Sequence, residues 1–292
     1  MRADSLIPAR PSSRAAVALA AIFLAACAPG SEPASGTRGR PVVVCSVLPQ
    51  AYGVERLAGD LVEIEVMIPP GASPATYEPS MQQMTAISVA SLYVKVGHPN
   101  FPFERVWLDR LLENNPRLKL VDSSEGVSSR RGDPHLWVSP AHMRTMVINV
   151  EAALAELLPG QRETLQSRLK EVLDDIDALD RRVRAKLASR ARDRFFVFHP
   201  AWGYFAEQYG LEQVAIEPGA REPSPEEIAD VIRRAKREGV RAIFVQPQFS
   251  HRSAEVIAGE IGVRLVTIDP LARDWRANID HVATALAEEL GP

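Results

Sequence analysis

The chain has 292 residues, 46% of them hydrophobic and 24% charged, with 34 Lys+Arg against 37 Asp+Glu and a net charge of −3. This is a globular composition that excludes wholesale disorder and collagen-like repeats, and the lack of a basic excess argues against a nucleic-acid partner. Two cysteines, Cys27 and Cys45, exclude a disulfide-stapled fold and a multi-cysteine zinc ribbon, and six histidines are few enough to be placed one at a time.

Residues 1–14 carry Arg2, Arg10 and Arg14 against one acid, Asp4, and 15–26 read AAVALAAIFLAA without a charge. Twelve apolar residues are too few to span a bilayer as a helix. A basic start, a short apolar core and small residues at its end make an export signal. It closes on Leu24-Ala25-Ala26-Cys27, which resembles the bacterial lipobox, so Cys27 is the expected lipidation site; cleavage near Ala26 with Cys27 incidental is the alternative. Residues 27–40 are small, polar and rich in Pro and Gly, as a flexible tether would be. Loss of the first 26 residues, with three arginines and one aspartate, leaves 266 residues and a net charge of −5. Cys45, in the run PVVVCSVL, is expected to be a small buried hydrophobe.

From residue 41 the chain reads as two blocks around one long helix. In the first block, 41–158, apolar β-branched runs stand at Val42–Val47, Leu61–Ile68, Ser91–Val96 and Leu118–Val121, with helical patterns such as Phe103–Glu113 between them. The second block, 194–292, alternates strand-like runs at Phe195–Phe198, Gln213–Ile216, Arg241–Val245 and Arg264–Ile268 with helical runs at Trp202–Tyr209, Pro225–Glu238, Ala254–Ile261 and Arg276–Leu290. Ser224 before Pro225, with Glu227 three residues on, spells a capping box. The alternation predicts an α/β fold of two lobes, each a parallel sheet covered by helices. Between the blocks, within 159–193, Leu165, Leu169, Val172, Ile176, Leu179, Val183 and Leu187 recur at steps of three and four, uninterrupted by Gly or Pro across 161–190. That stripe predicts a helix of about 45 Å at 1.5 Å per residue. A coiled-coil dimer is the alternative use of such a stripe; its few heptads favour packing across both blocks of one chain, hence a monomer.

Ligands of parallel sheets bind beyond the carboxyl ends of the strands. His98, His135, His199 and Asp269 each follow a strand-like run, two in each block, whereas His142, His251 and His281 do not and read as solvated surface groups. Three imidazoles and a carboxylate suit a divalent transition metal, zinc above all. Singly each has an ordinary reading: His135 and His199 as satisfied buried histidines, Asp269 before Pro270 as a turn residue. Their joint placement favours a site.

The segments PPGASPATYEPS (69–80), DPHLWVSP (133–140), FVFHPAWGYFAEQYGL (196–211) and IDPLARDW (268–275) resemble those of the metal-binding lipoproteins of ABC transporters for zinc and manganese, extracytoplasmic receptors with two α/β lobes on a helical backbone. The likeness covers residues 41–292 in order. It implies metal ligands at His135, His199 and Asp269, with histidine at the second of these resembling the zinc-type receptors. The family's first histidine, in a Pro-His-x-Tyr-Glu-Pro context, falls on Ala75, which cannot bind metal. His98 is the expected replacement, its strand being expected beside the one leading to Ala75; a water-closed site of three ligands and a degenerate site are the alternatives. The His-rich loop that many zinc receptors carry before His135 is absent, its place taken by SSEGVSSRRG (123–132), and Arg131-Gly132-Asp133 reads as part of the turn into His135.

The resemblance implies capture rather than catalysis. Zinc, with manganese as the other candidate, would be bound outside the cytoplasmic membrane, by a protein in the periplasm or at the cell surface anchored through Cys27, and handed to an ABC permease. Trp137, Tyr204 and Glu217 are candidates to orient the ligands. Affinity is expected to fall as pH drops through about 6.5, where imidazoles protonate, and the shared helix predicts small tilts and loop movements rather than a wide hinge. A zinc hydrolase and an adhesin with structural metal are the rival functions; no HExxH, GxSxG or phosphate-binding glycine loop is present in the sequence.

Overall fold

The computed structural model describes residues 39–129, 132–217, 224–249 and 252–292. The export signal, Cys27, most of the tether and His251 lie outside these residues. Arg40–Pro292 form one compact unit.

The first lobe runs β1 (Val42–Cys45), α1 (Leu48–Ala58), β2 (Glu63–Val66), α2 (Met81–Val89), β3 (Leu92–Lys95), α3 (Pro102–Asn114) and β4 (Lys119–Asp122). Its four strands pair in parallel in the order β2-β1-β3-β4. A 3₁₀ turn at Leu136–Val138 leads into α4 (Pro140–Leu157), whose N-cap Ser139 accepts the His142 N–H. The second lobe repeats the plan: β5 (Arg194–Val197), α6 (Gly203–Tyr209), β6 (Glu212–Ala215), α7 (Pro225–Glu238), β7 (Ala242–Val245), α8 (Arg252–Ile261), β8 (Arg264–Thr267) and α9 (Trp275–Leu290) follow α5 (Arg162–Leu187). Its sheet has the matching order β6-β5-β7-β8, again all parallel. The fold is therefore the expected two-lobed α/β architecture. The Ser224 capping box forms as its spelling requires, its hydroxyl accepting from the Glu227 N–H.

Helix α5 is 26 residues long, and Leu165, Val172, Ile176, Leu179, Val183 and Leu187 are buried along it. It packs on α1 and α4 from the first lobe and α9 from the second. Each fully buried Leu, Val or Ile contributes on the order of 1.5–3 kcal/mol of transfer free energy. One hydrophobic core thus runs from β1, β3 and α4 through α5 to α9 and one face of the second sheet. Alternation along the strands divides that sheet between two cores. Phe195, Val197 and Phe244 face the shared core, while Phe196, Phe198, Ile243 and Val245 face a smaller one under α7 and α8. Cys45 is fully buried in the shared core, as its apolar surroundings in sequence foretold, and burial pushes its thiol pKa up.

Candidate metal site between the lobes

Each sheet presents its carboxyl-end loops to the cleft. His199 lies two residues past β5, His98 three residues past β3, and Asp269 two residues past β8. His135 sits farther from β4, immediately before the 3₁₀ turn. The cleft holds a cavity of about 500 Å³ whose walls include Ser73, Pro74 and Ala75 from the loop after β2, Phe101, His135, His199, Phe249 and Leu271.

His135 and His199 meet across the cleft with ring centroids 5.4 Å apart and planes at 81°. Each ring is held by a carboxylate on Nδ1. Asp133 Oδ1 lies 2.8 Å from Nδ1 of His135, and Glu217 Oε2 lies 2.9 Å from Nδ1 of His199. An ionised carboxylate only accepts, so Nδ1 carries the proton in both rings and Nε2 keeps its lone pair, the arrangement typical of metal-ligating histidines. Burial lowers the pKa of His135, opposed by Asp133, and the neighbouring His199 and His98 lower it further. A neutral, oriented imidazole is a competent donor to a divalent cation.

The partners are themselves fixed. The Asp133 carbonyl accepts from Tyr204 Oη at 2.8 Å, a bond from the second lobe to the first. His199 is stacked on Phe249, centroids 4.4 Å apart, and its backbone exchanges hydrogen bonds with the buried Gln246 side chain. Asp269 is half-buried; its Oδ1 accepts from the Leu271 N–H at 2.9 Å and Gln248 Nε2 at 2.7 Å, and its carbonyl accepts from Asn278 Nδ2.

His98 stands differently. It is buried, and its field reaches His135, but its Nδ1 accepts the Asn100 N–H at 3.1 Å, which puts the neutral ring's proton on Nε2. The turn before it is rigid. Gly97 has φ +83°, and a Cβ there would run into Asp122 and Ser124, while Glu104 of α3 accepts the Val96 N–H at 2.5 Å and the Gly97 N–H at 3.0 Å. The strand of His98 is not beside the strand leading to Ala75, as expected from sequence: β1 separates β3 from β2. Among the described residues no group of three or more His, Cys, Asp or Glu side chains lies close enough together to hold a metal ion.

Two further placements bear on the sequence reading. Glu217 and Tyr204 touch the site as described, whereas Asp133, Gln248 and Phe249 were not anticipated; Asp133, two residues before His135, is the only one that a local pattern could have suggested. His142 is not a solvated surface group. It is half-buried against Tyr204, ring centroids 4.8 Å apart, its Nδ1 is buried without a hydrogen-bond partner among the described residues, and burial lowers its pKa. His281 is exposed.

Comparison with known proteins agrees with this architecture. The chain is 26% identical over 277 residues to the zinc-binding lipoprotein AdcA of Streptococcus pneumoniae, covering 87% of this chain and 54% of that one, so it spans about half the length of that relative. It is 26% identical over 280 residues to the high-affinity zinc uptake system protein ZnuA of Bacillus subtilis, covering 87% and 86% of the two chains. Among solved structures, one titled as the crystal structure of ZnuA superposes with a TM-score of 0.83 at 36% identity, over 87% of this chain and all of that one. The model of the family described as zinc-uptake complex component A, periplasmic, matches residues 43–289, and the chain belongs to that family.

Proposed function

We propose that this chain is the solute receptor of a metal ABC transporter, capturing Zn²⁺ in the cleft between its lobes and presenting it to a membrane permease. The observation that carries the reading is the facing pair His135 and His199, each with Nδ1 on a carboxylate and Nε2 left as a donor. The similarity to the zinc uptake proteins above supports zinc as cargo, and two imidazoles favour zinc over manganese, which prefers oxygen donors. Asp269 Oδ2 is the third proposed donor, from the second lobe. For the fourth position the sequence offers His98, whose Nε2 coordinates only if the bond from the Asn100 N–H breaks and the proton crosses the ring.

No catalytic step is involved. Zinc entering the cleft exchanges bound waters for protein lone pairs, and the carboxylates on Nδ1 strengthen the imidazoles as donors. The donors stand too far apart to hold an ion without movement, while the lobes share one core; loading is therefore a loop adjustment around His135 and Asp269, not a wide closure. The first 26 residues act as the export signal, Cys27 as the lipid anchor and the following residues as the tether, placing a monomeric receptor in the periplasm or at the cell surface, outside the cytoplasmic membrane. No helix among the described residues is long and apolar enough to cross a membrane.

Metal analysis of the purified protein, followed by competition between zinc and manganese, tests the reading. One stoichiometric zinc, displaced poorly by manganese and lost in His135→Ala and His199→Ala, is expected. Protein without measurable affinity for either ion would show the site to be degenerate.

A further inference from the structure

Before the loops around His135 and Asp269 adjust, the cleft is far larger than a four-coordinate ion needs. Zinc held by four protein donors at about 2.0–2.3 Å leaves no space of its own, and one water accounts for about 30 Å³. The cavity measures about 500 Å³, within the range of roughly 300–1,000 Å³ of small-molecule sites. Its wall on the β2 side ends in Ala75, which offers a methyl group and no donor. β1 stands between the strands that lead to Ala75 and His98, and the Nδ1 of His98 accepts the Asn100 N–H. Its turn is also pinned by Glu104 and by the glycine at 97. The wall of the same cavity includes Pro74, Phe101 and Phe249, with Asn100 and Gln248 among its polar groups. A mostly apolar wall with a few polar groups is how proteins hold small organic molecules, not bare ions.

We propose that the fourth zinc ligand comes from outside the chain: an amino-acid-sized co-ligand, with an imidazole or amine donor and a carboxylate, that enters with the metal and fills the space beside Ala75. The inference rests on the zinc-receptor reading. One lone pair of the co-ligand takes the coordination position left after His135, His199 and Asp269, displacing one water from zinc, with no change of oxidation state. Its body lies against Phe101 and Phe249, and its carboxylate faces the side-chain amide of Asn100. The cargo is then a zinc complex with that molecule rather than the free ion.

The test uses the purified full chain with zinc alone, L-histidine alone, and both together, read by equilibrium dialysis with radiolabelled histidine and by native mass spectrometry. Histidine retained at one per protein only when zinc is present is the expected result. Ala75→His, which restores an internal donor, is expected to abolish histidine retention and to tighten binding of zinc alone at least tenfold. Tight binding of zinc with no histidine retained by the wild-type chain would overturn the inference and leave the receptor reading standing. So would a His98→Ala chain that loses zinc as severely as His135→Ala, because the fourth donor would then be internal. Failure of both the wild-type and Ala75→His chains to bind zinc would remove the receptor reading itself.

Discussion

Trp137 and Trp275 lock the two lobes together beneath the cleft. Trp275 Nε1 donates to the Trp137 carbonyl at 2.7 Å, and Trp137 Nε1 donates to the Pro270 carbonyl at 2.6 Å. Both indoles are buried. Trp137 lies two residues beyond His135 and Pro270 immediately follows Asp269, so these bonds tie the loops that carry proposed donors from opposite lobes. Buried indole N–H groups need acceptors, and here each acceptor is a backbone carbonyl on a site loop.

Replacing Trp137 by Phe keeps most of the bulk and deletes the N–H, leaving the Pro270 carbonyl unsatisfied. A loss of about 1–3 kcal/mol of stability is expected, measured by denaturant unfolding, together with weaker zinc binding from a loosened Asp269 loop. Unchanged stability and affinity would show that the indole bond does not position the loop.

Glu217 orients His199 through Nδ1. Glu217→Ala is expected to weaken zinc binding about 10–100-fold, with Glu217→Gln recovering part of it because its amide oxygen still accepts. Competition titration against a zinc chelator measures both. Equal losses in the two variants would contradict an orienting role.

Glu104 is buried, and burial raises its pKa although Ser46, Gly97, Val96 and Lys95 all lower it. A raised native carboxyl pKa favours folding most below the ordinary value of about 4.3, and that contribution is lost as pH rises through the native pKa. Glu104→Gln keeps an accepting oxygen for one of the Val96 and Gly97 N–H donors and turns its NH₂ group toward the other, at a cost of about 1–3 kcal/mol where the wild-type carboxyl is protonated. The stability gap between wild type and variant should therefore be widest near pH 4 and narrow as pH rises. Unfolding curves at several pH values check this; a constant or widening gap would contradict it.

Leu179 is fully buried on α5 inside the shared core. Leu179→Ala is expected to cost about 2–5 kcal/mol. Because one core spans both lobes, the variant should still melt in a single cooperative transition at lower temperature. Two resolved transitions in a calorimeter would show that the lobes unfold separately.

The stripe from Leu165 to Leu187, the apolar strands before His199 and Asp269, and the capping box at Ser224 were legible in the sequence. Periodicity and turn chemistry are local: they report which face of an element is buried and where it begins. The position of Ala75, likewise, needed only the motif around it. What the sequence left open depended on contacts between distant residues. Strand order put β1 between the strands of Ala75 and His98, and no local pattern encodes which strands pair. The side-chain partner of each ring decided its tautomer: Asp133 and Glu217 on His135 and His199, a backbone N–H on His98. The sequence by itself determined two α/β lobes, one helix between them and histidines at strand ends. Only the tertiary structure decided which lone pairs face the cleft, because a hydrogen bond depends on where two groups meet in space and not on their spacing along the chain.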